Sequence, residues 1–317
     1  MKILITGACG FIGSNFLDYF YEKHNDYEFV VVDKLTYAAN PEYISKYLKK
    51  DNFKFKKIDI CNFKRMDELF LEEGFDYVVN FAAESSVDKS FRSPFVFYES
   101  NVDGVVNLIK LSLKYHVRRF HQVSTDEVYG PAIGVAFKED SPLNPTNPYS
   151  LTKSIADNLI LMAVKYQKLN ATISRCTNNF GPNQFYDKLI PLCILKAHNN
   201  EPIPLYGDGK NIRDWISVYD HCRAIEMILL KGRTGEIYNI GADNFKSNIN
   251  IVEQILKIMN KPKDLISYVN DRPNHDFGYA VNSTKIKSEL GFETLDTFDE
   301  ALLKTVNCYL SNFKNNL

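Results

Sequence analysis

The sequence predicts an α/β protein with a doubly wound parallel sheet and a smaller C-terminal lobe that binds a substrate. Short apolar runs rich in β-branched residues alternate with helical patterns through the first 180 residues. This alternation is typical of βαβ units, whose strands form a parallel sheet covered by helices on both faces. From about residue 181, loop-rich segments separate the helical patterns, which indicates a second lobe. We therefore predict one unit over residues 1–180, with a return near 212–241, and another over 181–317.

The individual elements follow from the same patterns. The predicted strands are KILIT, EFVVVD, FKFKKI, DYVVNFA, RRFHQVS and ATISR. The predicted helices span 11–24, 63–72, 99–115 and 148–168, followed by 186–199, 220–231, 250–259 and 297–313. A later run, EIYNIG at 236–241, is predicted to return to the first sheet as a further strand.

The composition excludes several classes of protein. The net charge is -1 and the pI is near 6.6, with Lys and Arg scattered along the chain, so nucleic acid is not an expected partner. The chain opens with a strand-like run and has no apolar stretch of membrane-spanning length, so we expect a cytoplasmic protein that does not contact a membrane. The six cysteines lie far apart without a CxxC pair, which predicts reduced thiols and no metal site.

A glycine-rich turn follows the first predicted strand. In TGACGFIGS, Gly7, Gly10 and Gly13 stand between KILIT and a predicted helix. Glycines at these positions allow a tight turn and a close approach to a pyrophosphate, whose charge is attracted by the free N–H groups of the helix start. Asp33 ends the second predicted strand, where a carboxylate binds both hydroxyls of an adenosine ribose and repels a 2′-phosphate. The sequence therefore predicts a Rossmann-type site for NAD rather than NADP.

Tyr149 and Lys153 stand four residues apart in NPYSLTKS. Pro148 suits the first position of a helix and Asn147 suits its N-cap, so both side chains are predicted to lie on one helix face. A nearby ammonium favours the phenolate, which predicts a lowered pKa for Tyr149 and a base for a sugar hydroxyl. The spacing alone carries little weight, and its position after the strand RRFHQVS in an NAD-binding chain gives it meaning.

Two adjacent acids, Asp126 and Glu127, follow the strand RRFHQVS in the segment STDEVYG. A core strand that merely stops would end in Gly, Asn or Pro, so the pair indicates a functional site. Two carboxyl groups in opposite protonation states can act as an acid and a base. The pair is therefore predicted to carry out acid–base chemistry beside the cofactor.

The NAD motif, the pair Ser124 and Thr125, and the pair Tyr149 and Lys153 together resemble the extended short-chain dehydrogenase/reductase family, over nearly the whole chain. Five longer segments resemble, in order, the motifs of the nucleotide-sugar 4,6-dehydratases: AAESSVDKS, STDEVYG, NNFGPNQFYDKLIPL, YGDGKNIRDW and DRPNHDFGYA. The chain departs from that pattern at Ser86, where the family usually has His.

This resemblance implies a mechanism. Tyr149 removes the proton of the sugar C4 hydroxyl while NAD takes the hydride, and the resulting ketone acidifies the C5 proton. Glu127 is then the base at C5, Asp126 is the acid that protonates the leaving C6 hydroxyl, and return of the hydride to C6 gives a 4-keto-6-deoxy sugar. A 4-epimerase needs only the first step and resembles SSAxVYG at this strand end, without the acid pair. The implied catalytic residues are Thr125, Asp126, Glu127, Tyr149 and Lys153.

The resemblance also implies the binding residues. Those for NAD, which is expected to be tightly bound and regenerated in each turnover, are Gly7, Gly10, Phe11, Ile12, Gly13, Asp33, Lys34, Thr36, Asp59, Ile60, Ala82, Ala83, Tyr149 and Lys153. Those for the nucleotide-sugar substrate are Ser85, Asn179, Lys188, Leu189, Tyr206, Arg213, Asn248, Arg272, His275 and Tyr279. Arg213 and Arg272 are expected to bind phosphate oxygens through paired donors, and ion pairs with Asp214 and Asp271 are the alternative.

Several alternatives stay open at this point. We expect dTDP-glucose as the substrate, with UDP-glucose as the alternative, because thymine and uracil differ by one methyl group. A non-catalytic NAD-binding regulator is the alternative from another class, but that class typically loses the Tyr or the Lys. In the family the matching helices form a four-helix dimer interface, so a homodimer is expected through apolar residues on more than one helix side: Val102, Val105, Val106, Ile109, Leu113, Ile155, Leu159 and Met162.

Overall fold

The computed structural model describes residues 1–132, 136–270, 278 and 280–315. Its strands are β1 (Lys2–Thr6), β2 (Glu28–Asp33), β3 (Phe53–Lys57), β4 (Tyr77–Asn80), β5 (Arg119–Thr125), β6 (Ala171–Cys176), β7 (Asn178–Phe180), β8 (Ile203–Tyr206), β9 (Ile212–Ser217), β10 (Ile237–Ile240), β11 (Phe245–Ser247) and β12 (Ile266–Val269).

Seven of these strands form one parallel sheet, in the order β3-β2-β1-β4-β5-β6-β10. The neighbouring strands β1, β2 and β4 are mainly apolar and buried because both faces of the sheet are covered. In β2, Phe29 and Val31 pack into one core cluster while Val30 and Val32 pack into the other. The predicted parallel α/β fold is confirmed.

The helices cover the two faces of this sheet. They are α1 (Phe11–Lys23), α2 (Phe63–Glu73), α3 (Val87–Arg92), α4 (Pro94–Tyr98), α5 (Gly104–Lys114), α6 (Pro148–Gln167), α7 (Leu189–His198), α8 (Val218–Lys231), α9 (Asn248–Ile258), α10 (Thr284–Leu290) and α11 (Phe298–Asn315). Helices α2, α5 and α6 contribute to the core on one face, and α1 and α8 contribute to the core on the other. Among the helices of the described residues, none combines the length and the apolar character needed to cross a membrane.

A π-helical turn at Glu99–Asp103 joins α4 to α5, so the helix predicted from residue 99 begins earlier in the chain. Within this turn, Asn101 is buried and uses its whole amide group. It accepts from Glu84 N at 2.8 Å and donates to Glu84 O and Thr152 Oγ1, each at 3.0 Å. The turn therefore fixes the segment after β4 against α6, next to the residues of the candidate site.

The chain after β6 builds most of a second layer and also returns to the first sheet. Strands β11, β9 and β7 form a three-stranded sheet, β12 pairs with β8, and α7, α9 and α11 share one apolar core with Phe180 and Trp215. Strand β10 pairs in parallel with β6, placing Ile237 opposite Ile173. The division of the chain at residue 180 remains a prediction.

Candidate active site

One cleft lies at the carboxyl ends of the parallel strands, the edge at which open α/β sheets bind their ligands. The segments that follow β1, β2, β4, β5 and β6 and the first turns of α1 and α6 all contribute to its lining. Every residue predicted for catalysis or for NAD lines this cleft: Gly7, Gly10, Phe11, Ile12, Gly13, Asp33, Lys34, Thr36, Asp59, Ile60, Ala82, Ala83, Thr125, Asp126, Glu127, Tyr149 and Lys153.

The residues predicted to bind the substrate are only partly brought together. Ser85, Asn179 and Lys188 line the cleft. Among the described residues, four others do not line it, namely Leu189 at the start of α7, Tyr206 in β8, Arg213 in β9 and Asn248 at the start of α9. Arg272, His275 and Tyr279 lie outside the described residues.

The glycine turn packs closely against neighbouring backbone at the start of α1. Gly7 has φ +73°, and a Cβ there would lie 2.6 Å from the backbone N of Ala82. A Cβ on Gly13 would collide with the carbonyl oxygen of Gly7. Helix α1 begins after Gly10 with no side chain capping it. This cradle of glycine backbone at an uncapped helix start fits the diphosphate of a dinucleotide.

Asp33 is held by the backbone at the end of β2. Its Oδ1 accepts from Leu35 N at 2.8 Å and its Oδ2 accepts from Cys9 N at 3.0 Å. Burial raises its pKa, although both backbone hydrogen bonds and the charge of Lys34 act in the opposite direction. A carboxylate fixed in this way is suited to the hydroxyls of a ribose and opposes a 2′-phosphate.

Lys34, the residue after Asp33, interacts with a hydroxyl group and two carboxylates. Its Nζ donates to Ser100 Oγ at 2.7 Å and lies 3.7 Å from Asp59 Oδ2 and 4.0 Å from Glu84 Oε1. Two carboxylates near one ammonium balance the cation that would otherwise attract a 2′-phosphate. The residues present therefore fit NAD.

Helix α6 positions Tyr149 and Lys153 as the sequence predicts. Pro148 is its first residue, and Asn147 caps it in a capping box with Ser150. Lys153 is buried and donates through Nζ to the backbone oxygen of Val123 in β5 at 2.7 Å. Burial lowers the pKa of Lys153 to about 8, so at neutral pH the ammonium form still predominates.

The sequence predicts a lowered pKa for Tyr149 because of the nearby Lys153. In the protein without its cofactor, this prediction is wrong. Burial raises that pKa well above its ordinary value, and the neighbouring Glu127 adds to the effect through charge repulsion. A hydrogen bond from Thr125 acts in the opposite direction and does not offset the burial. The phenol is therefore neutral in the protein at physiological pH.

Asp126 and Glu127 occupy a 3-10 turn, Asp126–Tyr129, that directly follows β5. Thr125 starts this turn: its Oγ1 accepts from Glu127 N at 3.3 Å and donates to Asp126 Oδ1 at 3.3 Å. Two adjacent residues at the start of a 3-10 turn point in different directions, so their carboxyl groups meet different surroundings.

Those surroundings raise the pKa of Asp126. Asp126 is 5% exposed, and burial followed by the charge of Glu127 raises its pKa to about 8, while the charge of Arg213 acts in the opposite direction. Its Oδ2 has no hydrogen-bond partner within the described part of the chain. Glu127 is more exposed and accepts from Asn147 Nδ2 at 3.3 Å. At neutral pH, Asp126 is a buried proton donor beside a second carboxyl group.

Arg213 is not part of the cleft lining. It is buried in β9, donates to the backbone oxygen of Ile212 at 2.8 Å, and its charge acts on Asp126. Asp214, its alternative partner, accepts from the backbone N of Ala242 and Asn244 at 3.0 and 2.7 Å. The backbone bonds of Asp214 leave the predicted phosphate role of Arg213 open.

Sequence reasoning missed several residues that line the cleft. They include Tyr37, Glu84, Ser100, Cys176, Phe185 and Asp187. Glu84 and Cys176 each stand one or two residues after a predicted strand run, a position that is itself a signal of the binding edge. Ser86, which replaces the usual His, does not line the cleft and instead caps α3, where its Oγ accepts from Lys89 N at 3.4 Å.

The family model described as GDP-mannose 4,6 dehydratase matches residues 4–305 of this chain. The chain belongs to this dehydratase family. A relative named dTDP-glucose 4,6-dehydratase, from Neisseria meningitidis serogroup B, is 40% identical over 98% of this chain and 94% of its own length. Another, named low-salt glycan biosynthesis protein Agl12, from Haloferax volcanii, is 42% identical over 98% of this chain and 99% of its own length.

Solved structures from this dehydratase family have the same fold. The dTDP-glucose 4,6-dehydratase of Bacillus anthracis, in complex with NAD, has a TM-score of 0.93 and 42% identity, covering 99% of this chain and 98% of that one. DesIV of Streptomyces venezuelae, also a dTDP-glucose 4,6-dehydratase with NAD bound, has a TM-score of 0.95 and 36% identity over the same shares of the two chains. A UDP-glucose 4-epimerase of Thermotoga maritima reaches a TM-score of 0.93 at 28% identity, covering 99% of this chain and all of that one.

Proposed function

We propose that the protein is a dTDP-glucose 4,6-dehydratase, a hydro-lyase that uses NAD and forms dTDP-4-keto-6-deoxyglucose and water. The observation that carries this function is the pair of adjacent carboxyl groups, with Asp126 protonated at neutral pH, in the same cleft as Tyr149 and Lys153. An epimerase has no use for such a pair, because it breaks no bond at C5 or C6. The names of the relatives and of the structural neighbours support the same reaction.

The cofactor site is assigned to the first half of the sheet. The glycine turn and the start of α1 hold the diphosphate, Asp33 holds the adenosine ribose, and Tyr149 and Lys153 lie at the nicotinamide end. NAD supplies a hydride acceptor for the sugar C4 and gives the same hydride back to C6 within one turnover. Because the hydride is returned, the protein should retain its cofactor from one turnover to the next.

Tyr149 takes the proton of the C4 hydroxyl in the first step. Its high pKa in the protein means that the phenolate needs a neighbouring positive charge, and Lys153, one helical turn away, is protonated at neutral pH. Lys153 thus assists as an ammonium, held in place by the backbone of Val123. This step produces the 4-ketone, which makes the C5 proton acidic.

Glu127 and Asp126 carry out the elimination. Glu127 removes the C5 proton, and Asp126 gives its proton to the C6 hydroxyl, which leaves as water. When the hydride is returned to C6, protonated Glu127 gives a proton back to C5. Asp126 can donate at neutral pH because its pKa is about 8. Both carboxyl groups follow β5 directly, so a rigid strand sets their distance from the sugar.

The remaining predicted residues are assigned to the nucleotide diphosphate. Ser85, Asn179 and Lys188, which line the cleft, are proposed to contact the sugar and phosphate. The other predicted residues are assigned to the base and diphosphate on the family motifs alone: Leu189, Tyr206, Arg213, Asn248, Arg272, His275 and Tyr279. UDP-glucose is the second candidate substrate, since the two bases differ by one methyl group.

We also propose the homodimer predicted through the helices near 99–115 and 148–168, with α4 adjoining α6 at the same surface. Leu151, Met162 and Tyr166 form an exposed apolar stripe along α6, and Phe95 and Tyr98 on the adjoining α4 are exposed as well. An apolar surface of this kind on two packed helices is typical of a protein interface. Of the residues predicted for the interface, Val102, Val105 and Ile109 are instead buried in the core of the subunit.

The expected cytoplasmic location belongs to the same proposal. All six cysteines are free thiols, which suits a reducing compartment.

The function is tested by incubating the purified protein separately with dTDP-glucose and with UDP-glucose. Mass spectrometry should show loss of one water from dTDP-glucose, NAD should copurify, and no net NADH should accumulate. Water loss from UDP-glucose alone would favour the second substrate. An unchanged mass with an inverted C4 centre would identify an epimerase, and steady NADH production would identify a simple dehydrogenase.

A further inference from the structure

An ion pair is buried directly behind the pair Tyr149 and Lys153. Arg175 in β6 donates through Nε to Asp157 Oδ2 at 2.9 Å, and these side chains are 2% and 0% exposed. The same oxygen accepts from Ser124 Oγ at 3.1 Å. Ser124 lines the cleft, so the ion pair is one residue removed from the ligand.

The ion pair and Lys153 hold two successive residues of β5. Asp157 follows Lys153 by one turn of α6, so the two side chains lie on the same helix face. Lys153 is bonded to Val123 and Asp157 is bonded to Ser124. This double attachment fixes α6 against the strand that leads to Asp126 and Glu127.

The same arrangement also affects the pKa of Lys153. Burial lowers the pKa of Lys153, and the carboxylate of Asp157 is the largest influence in the opposite direction, followed by Cys176. Four other titratable groups line the cleft with Lys153, from α6, the end of β6 and the turn after β5: Tyr149, Cys176, Asp126 and Glu127. Asp157 acts on Lys153 from α6, and Arg175 in β6 is paired with Asp157. Cys176 and Tyr149 are neutral because their pKa values are raised, and Asp126 is protonated at neutral pH.

Arg175 is held by a second contact besides its ion pair with Asp157. Its guanidinium stacks on the ring of Tyr129, with Cζ 4.7 Å from the ring centroid, and Tyr129 OH in turn donates to Asn239 Oδ1 at 2.8 Å. The cation is therefore fixed in place as well as buried. Asp157 Oδ1 has no hydrogen-bond partner in the described part of the chain.

We propose that Asp157 and Arg175 are positioning residues that together set the protonation state of Lys153 and hold it on β5 for the oxidation step. Asp157 favours the ammonium form, and Arg175 offsets part of that effect, so the two residues act on Lys153 in opposite directions. This inference rests on the proposed function for its consequence in catalysis. The predicted effects of the two residues on the pKa of Lys153 can be measured without any substrate.

The test is an NMR titration of the protein with its copurified NAD, using lysine labelled with ¹³C at Cε. Lys153→Arg removes one signal and so assigns it. Asp157→Asn should lower the Lys153 pKa by about one unit or more, the size of a nearby opposite charge. Arg175→Met should raise that pKa, because Lys153 becomes the cation that balances Asp157. The double variant should fall between the two.

A matched control separates this effect from a general loss of stability. Asp220 is also buried and paired with an arginine, Arg223 at 2.8 Å, but it does not line the cleft. Asp220→Asn should reduce thermal stability and leave the Lys153 signal unchanged. If one single variant fails to fold, the direction of the shift in the other still decides. Shifts in the same direction for Asp157→Asn and Arg175→Met, or no shift in either, would overturn the proposal.

The kinetic consequence is measured in a Glu127→Gln background, where only the oxidation of C4 is expected to proceed. The rate of NADH formation from dTDP-glucose should fall at high pH as Lys153 loses its proton. In each variant, the pH of this fall should shift in the same direction as the Lys153 pKa measured by NMR. If neither the wild type nor Glu127→Gln oxidises any sugar, the proposed function fails, while the NMR titration still judges the role of the ion pair. If sugar is oxidised and the pH of this fall does not shift, the ion pair has no positioning role.

Discussion

Asn147 links the helix that carries Tyr149 to Glu127. Its Oδ1 accepts from Ser150 N at 2.8 Å as the cap of α6, and its Nδ2 donates to Glu127 Oε2 at 3.3 Å. One side chain therefore sets the start of the helix and the orientation of the proposed C5 base. A substitution that keeps the first role and changes the second should affect proton abstraction without unfolding the helix.

Asn147→Asp is such a substitution. Aspartate caps helices as well as asparagine does, so thermal stability should change little. A second carboxylate beside Glu127 makes ionisation of both groups unfavourable. The rate of C5 proton exchange should therefore fall off at a higher pH on the acidic side of its pH profile. Asn147→Ser is the control, since it caps without a charge and should leave the pH of this fall unchanged. The assignment fails if both variants show the same pH profile.

Glu127→Gln and Asp126→Asn should both stall after oxidation but differ in exchange. Glu127→Gln removes the base, so bound NADH accumulates and the C5 proton does not exchange with heavy water. Asp126→Asn removes the acid, and exchange continues because the base remains. Each should slow turnover by about 100- to 10,000-fold. Equal C5 deuterium incorporation in the two variants would contradict the roles of base and acid, as would near wild-type turnover by Glu127→Gln.

Tyr149→Phe should block the reaction before any hydride moves. The ring keeps its packing against Phe97, at 6.5 Å between centroids, so the fold should be retained. Stopped-flow absorbance should then show oxidised NAD throughout, in contrast to Glu127→Gln. Reduction of NAD at a wild-type rate in this variant would exclude Tyr149 as the base.

Asp126 should make the protein less stable as the pH rises. Its pKa is about 8 in the folded protein and 3.8 in its ordinary state, so the folded form holds a proton that the unfolded chain has released. The stabilisation is complete below pH 3.8, declines between 3.8 and about 8, and is absent above that range. Relative to Asp126→Asn, the free energy of unfolding should fall by about 1.4 kcal/mol per pH unit within that window.

Urea unfolding at several pH values measures this difference. Asp208→Asn is the control, because hydrogen bonds to Lys210 lower the pKa of Asp208, which is a surface group. Its variant should show no such decline with pH. A constant difference between Asp126→Asn and wild type across the window would mean that Asp126 is ionised in the folded protein.

The dimer should dissociate when charge is placed on the apolar stripe of α6. Met162 is 55% exposed, and Met162→Glu should shift the protein towards a monomer at micromolar concentration in sedimentation experiments, because a buried charge without a partner is costly. Leu71 is 73% exposed on α2, on the surface of another helix, and Leu71→Glu should leave the dimer intact. A wild-type monomer would contradict the proposed assembly.

The sequence predicted the parallel sheet well because its signals are local. Buried strands such as β2 are continuous apolar runs, and the glycine turn and the N-cap of α6 depend on a few neighbouring residues. Short strands such as β7 and β11, each of three residues, have no period to detect. They form because distant segments supply their partners, which a local pattern does not encode.

The difference between local signals and contacts of distant segments also explains which features of the candidate site were predicted. The position of Asp126 and Glu127 after one strand is a local signal. The raised pKa of Asp126 depends on burial and on the charge of Glu127, and it is opposed by Arg213, which lies far away in sequence. The pKa of Tyr149 was predicted in the wrong direction because the helical spacing shows Lys153 and not the burial. Asp157 and Arg175 carry no motif, and only the fold brings them together.

The place of β10 at the edge of the large sheet affects how the chain is made in the cell. During synthesis, β6 leaves the ribosome well before Ile237–Ile240 has been made. Until then, the edge of β6 that pairs with β10 has no partner strand. An open strand of this kind invites pairing with other chains until its proper neighbour arrives. Chaperone binding to the emerging polypeptide, or a slow last stage of refolding in vitro, would follow from this delayed closure.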